Sequence, residues 1–413
     1  MRRRKTILLA IGIALLAGLG AREPAPASQA GAAAKQAEPS SGSGTGYSSV
    51  RFAYGGNVAE IPAEFVDGII LLPVHVNQSQ PCLFVLDSTA PSTSIDPNRA
   101  AELGVPPGSV ELEMAGVNVT LAELPHVAKP DFDARFGRTY EGTLGHDFFE
   151  SFVVGIDYAR KTVRLYDPSS YQYSGKGKSV HISFSGDTPV LRAKVNTNGK
   201  TIEGDFGVDT ALDASVLFPE RFTNAHHMLS HVKTIPATDE ISDQLAQGAE
   251  LARMRVFQIA TFPVLQAIGT FSERPEPKTS APPLAGTIGG GMLRRFNVVF
   301  DYSRMQIIFD TNSEWRTDEL EDMSGITLSA SGPGLRKFEV MQVRPGTPGA
   351  EAGLQKGDII AGVDEDPAAD LSLMQLRDLF RQFGHPYKLT VERNDQTLHL
   401  TLKLKRLLPN TES

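Results

Sequence analysis

Short apolar runs separated by turn residues recur along most of the chain. The run Ile69–Val76 is followed by the polar turn 77–81 and by a second apolar run that ends at Leu86. Between residues 110 and 121, apolar and polar residues alternate on both sides of a central Ala-Gly pair. Alternation with a period of two, bounded by turn residues, is typical of strands and hairpins. This pattern predicts a mainly β protein.

The same pattern returns further along the chain. Apolar runs at 190–195 and 205–208 lie on either side of Asn198-Gly199, a strong hairpin turn. A helical period is confined to short stretches, of which the clearest are 97–104 and 371–380. With 413 residues, the chain is long enough for two or three domains, each with its own core.

The first residues of the chain have a different pattern. Four basic residues among the first five precede an apolar stretch at 7–21. This order is typical of an export signal, and the stretch is short for a membrane span. We expect residues 1–27 to be a signal peptide or N-terminal anchor. Residues 28–48 are expected to be a flexible linker, because Ala, Ser, Gly and Pro dominate them. The protein is therefore expected to be exported to the periplasm or cell envelope of a bacterium. Contact with the membrane is expected only if the first segment stays uncleaved.

Charge and composition exclude several classes of partner. The net charge is −8 and no basic patch is interleaved with aromatic residues, so nucleic-acid binding is not indicated. Cys82 is the only cysteine, so no intramolecular disulfide can form. His227 and His231 have a spacing that could bind zinc on a helix, but no neighbouring acid or cysteine completes a ligand set. A solvated helix face is the better interpretation, and no metal or other cofactor is expected.

An apolar run that ends in an acid and a hydroxyl residue occurs twice. Asp87-Ser88-Thr89 follows the first copy, and Asp209-Thr210-Ala211 follows the second. The copies align at an offset of 122 residues, which also pairs Phe84 with Phe206. A carboxylate at the tip of a buried strand is costly to desolvate, so it needs hydrogen-bond partners or a functional role. Two acids in matching contexts therefore predict a pair.

A second repeat strengthens the first. Residues 142–145, Gly-Thr-Leu-Gly, are echoed at 286–289 by Gly-Thr-Ile-Gly, at an offset of 144 residues. Without a gap, Asp157-Tyr158 then aligns with Asp301-Tyr302. The chain thus holds two copies of one unit, and the difference between the offsets gives the second copy about 22 extra residues between its markers.

The order of these markers resembles that of the bilobal aspartic peptidases, the pepsin-like and tandem retropepsin-like proteins. Each lobe of that family has an Asp-Thr/Ser-Gly motif after an apolar strand and a later strand that ends in apolar-apolar-Gly. The resemblance implies two β lobes, at 49–172 and 178–312. It also suggests that the hairpin at 110–121 occupies the place of a flap over the substrate, although an ordinary surface hairpin is equally compatible with the sequence.

The resemblance also implies the site. Asp87 and Asp209 are expected to face each other across the lobes and to hold a water molecule between them, one acting as general base and the other as general acid. Ser88 and Thr210 match the hydroxyl residues that hydrogen-bond across the lobe interface in this family. These four residues are the candidate catalytic set.

The third motif position departs from the family, because Thr89 and Ala211 replace its glycines. Glycine lets a backbone approach closely and take conformations that a Cβ disfavours, so the loss favours a non-catalytic pair of lobes that binds polypeptides. The alternative is an active acid-type endopeptidase that uses Asp87 and Asp209. In both cases the expected partner is a polypeptide substrate or a C-terminal peptide ligand.

The run at 344–360, with its Pro-Gly-Thr-Pro-Gly and Lys-Gly-Asp-Ile-Ile segments, resembles the PDZ modules of bacterial envelope proteases. The resemblance implies a β domain with one or two short helices at 325–407 that binds peptides by strand addition. The residues implied for its groove are Gly332, Gly334, Leu335, Phe338, Val340, Leu373 and Leu376. The alternative is that a segment of the chain itself fills the groove.

Overall fold

The structure is a computed structural model. It describes residues 46–129, 132–237, 248–273 and 282–411. The predicted signal segment 1–27 and almost all of the linker 28–48 lie outside the described residues, and the described chain belongs to one compact unit, Thr45–Ser413. None of the described helices has the length and apolarity that crossing a membrane requires.

The first half of the described chain is built mainly from strands. Its strands are β1 (Tyr47–Phe52), β2 (Val58–Pro62), β3 (Glu64–Val66), β4 (Ile69–Val76), β5 (Cys82–Leu86), β6 (Ser94–Ile95), β7 (Val110–Met114), β8 (Val117–Leu121), β9 (Gly142–Leu144), β10 (Val153–Asp157) and β11 (Thr162–Tyr166). Its helices are α1 (Pro97–Leu103), α2 (Asp133–Phe136) and α3 (His146–Ser151). The strand β1 begins at Tyr47, slightly before the predicted start of the first lobe.

The second half repeats this composition. Its strands are β12 (Lys178–His181), β13 (Ser183–Ser185), β14 (Thr188–Asn196), β15 (Thr201–Val208), β16 (Val216–Phe218), β17 (Thr234–Pro236), β18 (Glu250–Arg253), β19 (Val256–Ile259), β20 (Phe262–Leu265), β21 (Ile268–Phe271), β22 (Gly286–Ile288), β23 (Phe296–Asp301) and β24 (Gln306–Thr311). Its helices are α4 (Glu220–Ala225) and α5 (Gly290–Leu293).

A C-terminal domain follows. Its strands are β25 (Ile326–Ser331), β26 (Lys337–Val343), β27 (Ile359–Val363), β28 (Asp366–Pro367), β29 (Pro386–Arg393) and β30 (Gln396–Lys403), and its helices are α6 (Pro348–Glu351) and α7 (Leu373–Phe380). The strands and helix expected from the apolar pattern are thus present, and the mainly β fold class is confirmed.

Each half has its own sheet. The first half forms an eight-stranded sheet in the order β1-β8-β7-β4-β5-β9-β6, with β3 paired to β4. The second half forms a ten-stranded sheet in the order β17-β18-β21-β16-β22-β15-β14-β19-β20, with β13 paired to β14. In both sheets the strand that precedes the motif acid runs parallel to the strand of the second repeat, β5 to β9 and β15 to β22.

A third sheet joins the halves around a local twofold axis. Its order is β12-β24-β23-β10-β11-β2, so the strands β10 and β23 of the two copies pair at its centre. The pairs Val154–Phe300 and Ile156–Val298 exchange under the 144-residue offset, and the pair Gly155–Val299 maps onto itself. The axis therefore passes through Gly155–Val299, and the sequence repeat is also a structural repeat.

The repeated Asp-Tyr-x-Arg marker forms the turn beside this sheet. The Asp157 carboxylate accepts a hydrogen bond from the backbone N–H of Arg160 and pairs with its guanidinium at 3.0 Å. Asp301 does the same with Arg304, at 3.1 Å. The marker thus recurs because each copy needs the same acid to close the turn between its two interlobe strands.

The hairpin β7–β8 does not take the position of a flap. It lies inside the eight-stranded sheet, with β8 paired to β1 and β7 paired to the end of β4. Its turn is fixed by a hydrogen bond from the Ala53 N–H to the Gly116 carbonyl, 2.7 Å. An apolar hairpin with partners on both sides is part of the core, so it cannot close over a substrate.

The helix expected to carry His227 and His231 ends too early to do so. Helix α4 stops at Ala225, and both histidines have positive φ and are exposed on turns. The solvated position predicted for them is correct, whereas the helix is not.

Candidate active site

The two motif acids occupy equivalent positions at the ends of parallel strand pairs. Asp87 follows β5, and its N–H donates to the Leu144 carbonyl of β9 at 3.0 Å. Asp209 follows β15, and its N–H donates to the Ile288 carbonyl of β22 at 2.9 Å. Each parallel ladder thus continues into its motif and fixes where the acid emerges from the sheet.

Ser88 and Thr210 hold the two motif loops together. The Thr210 hydroxyl donates to the Leu86 carbonyl (2.6 Å) and accepts from the Ser88 N–H (3.0 Å). Reciprocally, the Ser88 hydroxyl donates to the Val208 carbonyl (2.8 Å) and accepts from the Thr210 N–H (3.2 Å). Both side chains are fully buried, and the four bonds satisfy both hydroxyls and both backbone N–H groups of this pair. The structure brings all four predicted residues to one place on the local twofold axis.

The glycine that ends each second repeat is required by close packing. A Cβ on Gly145 would lie 2.5 Å from the Ser92 carbonyl carbon, and one on Gly289 would lie 2.3 Å from the Ala214 carbonyl oxygen. Both contacts are with backbone atoms of the loop that follows the motif acid, and such atoms cannot move aside. The apolar-apolar-Gly marker is therefore what lets the motif loop lie flat on its neighbouring strand.

The third motif position, in contrast, does not require glycine. Neither Thr89 nor Ala211 has positive φ. The backbone N–H of each still donates to its own motif carboxylate, Thr89 to Asp87 and Ala211 to Asp209, both at 2.8 Å. The Thr89 side chain is only partly buried, and its hydroxyl donates to Asp87 at 2.8 Å.

The two carboxylates differ in their surroundings. Asp87 Oδ1 accepts three hydrogen bonds, from the Thr89 N–H (2.8 Å), the Thr89 hydroxyl (2.8 Å) and the Ala90 N–H (3.0 Å). Three donors on one oxygen stabilise a carboxylate anion. For Asp209, burial and then the neighbouring charge of Asp87 raise the pKa to about 7, against the opposing effect of two backbone N–H donors. Asp209 is therefore expected to hold a proton at acidic pH and to lose it near pH 7.

This raised pKa predicts how stability changes with pH. The folded chain binds the Asp209 proton more tightly than the unfolded chain, whose ordinary value is 3.8. Stability is therefore expected to fall as the pH rises from about 4 to about 7. The free energy of unfolding, measured in urea, should fall by roughly 1–4 kcal/mol more between pH 4.5 and pH 7.5 in the parent than in Asp209→Asn. The reason is that the asparagine side chain does not titrate.

The matched control for this experiment is Asp205→Asn. Asp205 lies on the same strand, but it is exposed, and among the described residues its ion pair is with the exposed Arg192. This variant should keep the parent's pH dependence. Equal losses in the parent and in Asp209→Asn would contradict the raised pKa.

The local twofold symmetry is broken close to the site. In the first half, the Thr93 hydroxyl and N–H donate to the buried Asp147, each at 2.8 Å. At the repeat offsets the corresponding residues are Ser215 and Gly291, so the second half has no carboxylate of its own there. Instead, the Ser215 hydroxyl donates to both oxygens of Glu319 at 2.8 Å. Glu319 lies beyond both lobes, in the segment that leads into the C-terminal domain.

An apolar cluster from three parts of the chain covers the second motif. It combines Phe132, Phe136 and Tyr140 of the first half with Ala211 of the motif and Met374 of helix α7. Helix α2 and a side chain of the C-terminal domain thus take part in one cluster with the residue that follows Thr210.

Charged contacts hold α2 in this position. Arg135 of α2 pairs with Asp213 at 2.7 Å, and both side chains are largely buried. Burial and the charge of Asp87 raise the pKa of Tyr140, the last aromatic residue of the cluster, which places its hydroxyl in the field of the candidate dyad. Sequence reasoning missed these residues, because no local pattern marks a helix that docks against a distant loop.

In the C-terminal domain, the predicted groove strand is not at an edge. The sheet order is β25-β26-β27-β29-β30, and Phe338 pairs with Ala330 on one side and with Ile360 on the other. The PDZ resemblance implied strand addition beside the strand from Phe338 to Val343. This position is wrong, because that strand is paired with β25 along its length and with β27 at Phe338 and Glu339. Phe338 and Val340 are fully buried in the core of the domain. The unpaired edge is that of β25.

The other predicted groove residues lie in two different elements of the domain, a turn and a helix. Gly332, Gly334 and Leu335 form the turn between β25 and β26, all with positive φ. Leu373 and Leu376 lie on α7 and are fully buried. Their role in peptide binding stays a prediction, with the groove now placed between β25 and α7.

Comparison with known proteins identifies one part of the chain. No curated protein matches it. Residues 319–404 match the family model for the PDZ domain, a range that begins at Glu319 and contains all six strands of the C-terminal sheet. The C-terminal part of this chain is a PDZ domain.

Proposed function

We propose that this protein is an aspartic endopeptidase that cleaves polypeptides with Asp87 and Asp209. The observation that carries the proposal is the set of four reciprocal hydrogen bonds between Ser88 and Thr210, which aligns two buried motif loops and places their acids in one electrostatic field. The raised pKa of Asp209 lowers the stability of the folded chain at neutral pH. A pair of acids kept at this cost suggests a functional role, because a repeat with only a structural role does not need it.

The different surroundings of the acids assign their roles. Asp87, which accepts three hydrogen bonds, acts as the general base and takes a proton from water as the water oxygen attacks the amide carbon. Asp209, which holds the shared proton, gives it to the carbonyl oxygen. Asp87 then gives its proton to the amide nitrogen while Asp209 takes one back from a hydroxyl of the tetrahedral diol. The C–N bond breaks, the carboxylic acid and the amine leave, and the pair returns to its starting state.

The second candidate is a non-catalytic protein whose lobes and PDZ domain only bind peptides. The specific observation in its favour is the absence of glycine at Thr89 and Ala211. Because both positions have ordinary φ and keep their N–H donors, this departure does not weaken the first proposal. Peptide binding by the PDZ domain is compatible with both candidates. We propose that either activity takes place outside the bacterial cytoplasm, in the periplasm or cell envelope, on the basis of the basic and apolar residues at 1–21.

Cleavage of denatured casein between pH 3 and pH 8 tests the proposal. We expect activity to be highest at acidic pH and to fall near pH 7, where the proton of Asp209 is lost. The double variant Thr89→Gly/Ala211→Gly should show no large gain. If the parent cleaves at no pH and the double variant does, the chain is a degenerate peptidase. If neither cleaves, and a variant in which α2 is displaced does not cleave either, the binding-only candidate replaces the enzyme.

A further inference from the structure

The peptide groove of the PDZ domain can be located from its sheet. Among the described strands of this sheet, β25 has a single strand partner, β26, and helix α7 packs along it. An extended peptide can add only to an unpaired edge, and in this recognition mode a neighbouring helix lines the side-chain pocket. The groove is therefore the space between β25 and α7.

A segment of the first lobe already lies in this space. Helix α2 packs against β25, and the Ser329 hydroxyl donates to the Ala134 carbonyl at 3.5 Å. At the end of α2, a Cβ on Gly137 would lie 2.7 Å from the Cβ of Leu373 on α7 and 3.6 Å from the Cβ of Ala330 on β25. Gly137 is thus inserted between the strand and the helix, at the point where a bound peptide would run.

The edge of β25 is also engaged from within the domain. The Arg377 guanidinium of α7, which is 5% exposed, donates to the Leu328 carbonyl at 3.1 Å. A peptide N–H that added to β25 would need such a carbonyl as its acceptor. Binding of a peptide therefore requires both this contact and α2 to move.

The same segment also packs beside the second motif. Phe132 and Phe136 belong to the apolar cluster against which Ala211, two residues after Asp209, is packed, and Arg135 pairs with Asp213. Met374 of α7 packs on this cluster from the PDZ side. A movement of α2 away from the PDZ domain thus also removes contacts from the loop that follows Asp209.

We propose that residues 132–137 are an intramolecular occupant of the PDZ groove, and that an extended peptide which displaces them uncovers the dyad. The fitting partner is a peptide in β conformation that pairs with β25 and carries an apolar side chain for the face of α7 that presents Leu373. The effect on cleavage rests on the proposed peptidase function. The occupancy of the groove and its link to the motif loop do not.

The test compares Gly137→Ala with Gly104→Ala by hydrogen exchange of the full chain. Both glycines end short helices of the first lobe with nearly the same φ, +65° and +61°, so both substitutions introduce the same backbone strain. A Cβ on Gly104 meets nothing within 4 Å, whereas one on Gly137 collides with Leu373. We expect exchange of the β25 amides and of residues 211–213 to rise roughly tenfold in Gly137→Ala relative to Gly104→Ala.

A second pair of variants covers the case in which Gly137→Ala fails to fold. Met374→Glu places a charge in the cluster that α2 forms with the PDZ domain, while Met341→Glu places one on the same domain at a side chain that is 39% exposed. Only Met374→Glu should raise exchange at β25 and at residues 211–213, while exchange in β10 of the interlobe sheet stays unchanged.

The outcomes separate the two proposals. Equal exchange at β25 within each pair would overturn the occupancy, and a rise at β25 without a rise at 211–213 would overturn the link to the dyad. If both sites open and denatured casein is cleaved faster, both proposals are supported. If both sites open and casein is still not cleaved at any pH, the occupancy stands and the peptidase function fails.

Discussion

Asp87→Asn and Asp209→Asn are each expected to lower the cleavage of denatured casein by a factor of about a thousand or more. Each substitution removes one member of an acid–base pair, and positioned acid–base catalysis contributes about 10²–10⁴ to a rate. Since the reaction needs one ionised and one protonated carboxyl group, the remaining acid cannot perform both roles. The measurement is the initial rate of casein cleavage at the acidic optimum, with the variants and the parent at equal concentration.

Two control measurements show whether a loss of cleavage is specific to the two acids. Asp205→Asn, at an exposed residue on the strand that ends at Asp209, should keep the parent rate. The unfolding free energy of both dyad variants at pH 7.5 should be no lower than that of the parent, because each relieves the repulsion between two neighbouring acids. Parent-like cleavage by either dyad variant would show that the activity belongs to another site.

Arg253→Met is expected to destabilise the protein by about 3–5 kcal/mol, because it leaves the carboxylate of Glu321 buried without its cation. The two side chains are 1% and 2% exposed and lie 2.6 Å apart. The guanidinium also donates to the carbonyls of Gln266, Glu319 and Leu408, so it joins the second lobe to both ends of the PDZ domain. Urea unfolding followed by tryptophan fluorescence measures the effect at Trp315, near the boundary between these parts.

The matched control is Arg192→Met, which removes an arginine whose ion pairs are exposed. Its effect should be much smaller, because exposed pairs contribute little to stability. Glu321→Gln should also be milder than Arg253→Met, since an amide oxygen can still accept from the N–H groups of Leu407 and Leu408. If Arg253→Met unfolds at the same urea concentration as the control, the buried pair does not hold the PDZ domain in place.

The pairing of the two motif loops could be predicted from the sequence because it lies on the repeat. Asp87 and Asp209 follow strands of the same pattern, and each copy needs its own glycine, at 145 and at 289, to lie flat. The loss of the motif glycines was expected to strain the loops, but neither Thr89 nor Ala211 has positive φ. Whether a motif residue needs positive φ depends on the loop around it, and residue identity alone does not give that loop.

The peptide groove could not be located in the same way. The runs 326–331 and 337–343 both alternate, and only long-range pairing decides that the first is the edge strand and the second is internal. The position of α2 in the groove is likewise a contact between residues almost 200 positions apart in the chain. A hairpin or a capped helix is determined by neighbouring residues and can be predicted from them, whereas docking between domains depends on residues far apart in the sequence.

In the first lobe, Thr93 donates hydrogen bonds to Asp147, a carboxylate of the same lobe. The corresponding residue of the second lobe, Ser215, donates instead to Glu319, which lies outside that lobe. A boundary drawn by homology therefore cuts through a polar network that the second lobe depends on. A protein truncated before residue 319 retains both motif acids but leaves the hydroxyl of Ser215 and the guanidinium of Arg295 without their shared acceptor. For the same reason, exchanging this PDZ domain for another would preserve the lobes only if the incoming segment carried an acid at its first position. The PDZ domain is recognisable from sequence as a separate module, but its first residue is part of the second lobe's hydrogen-bond network.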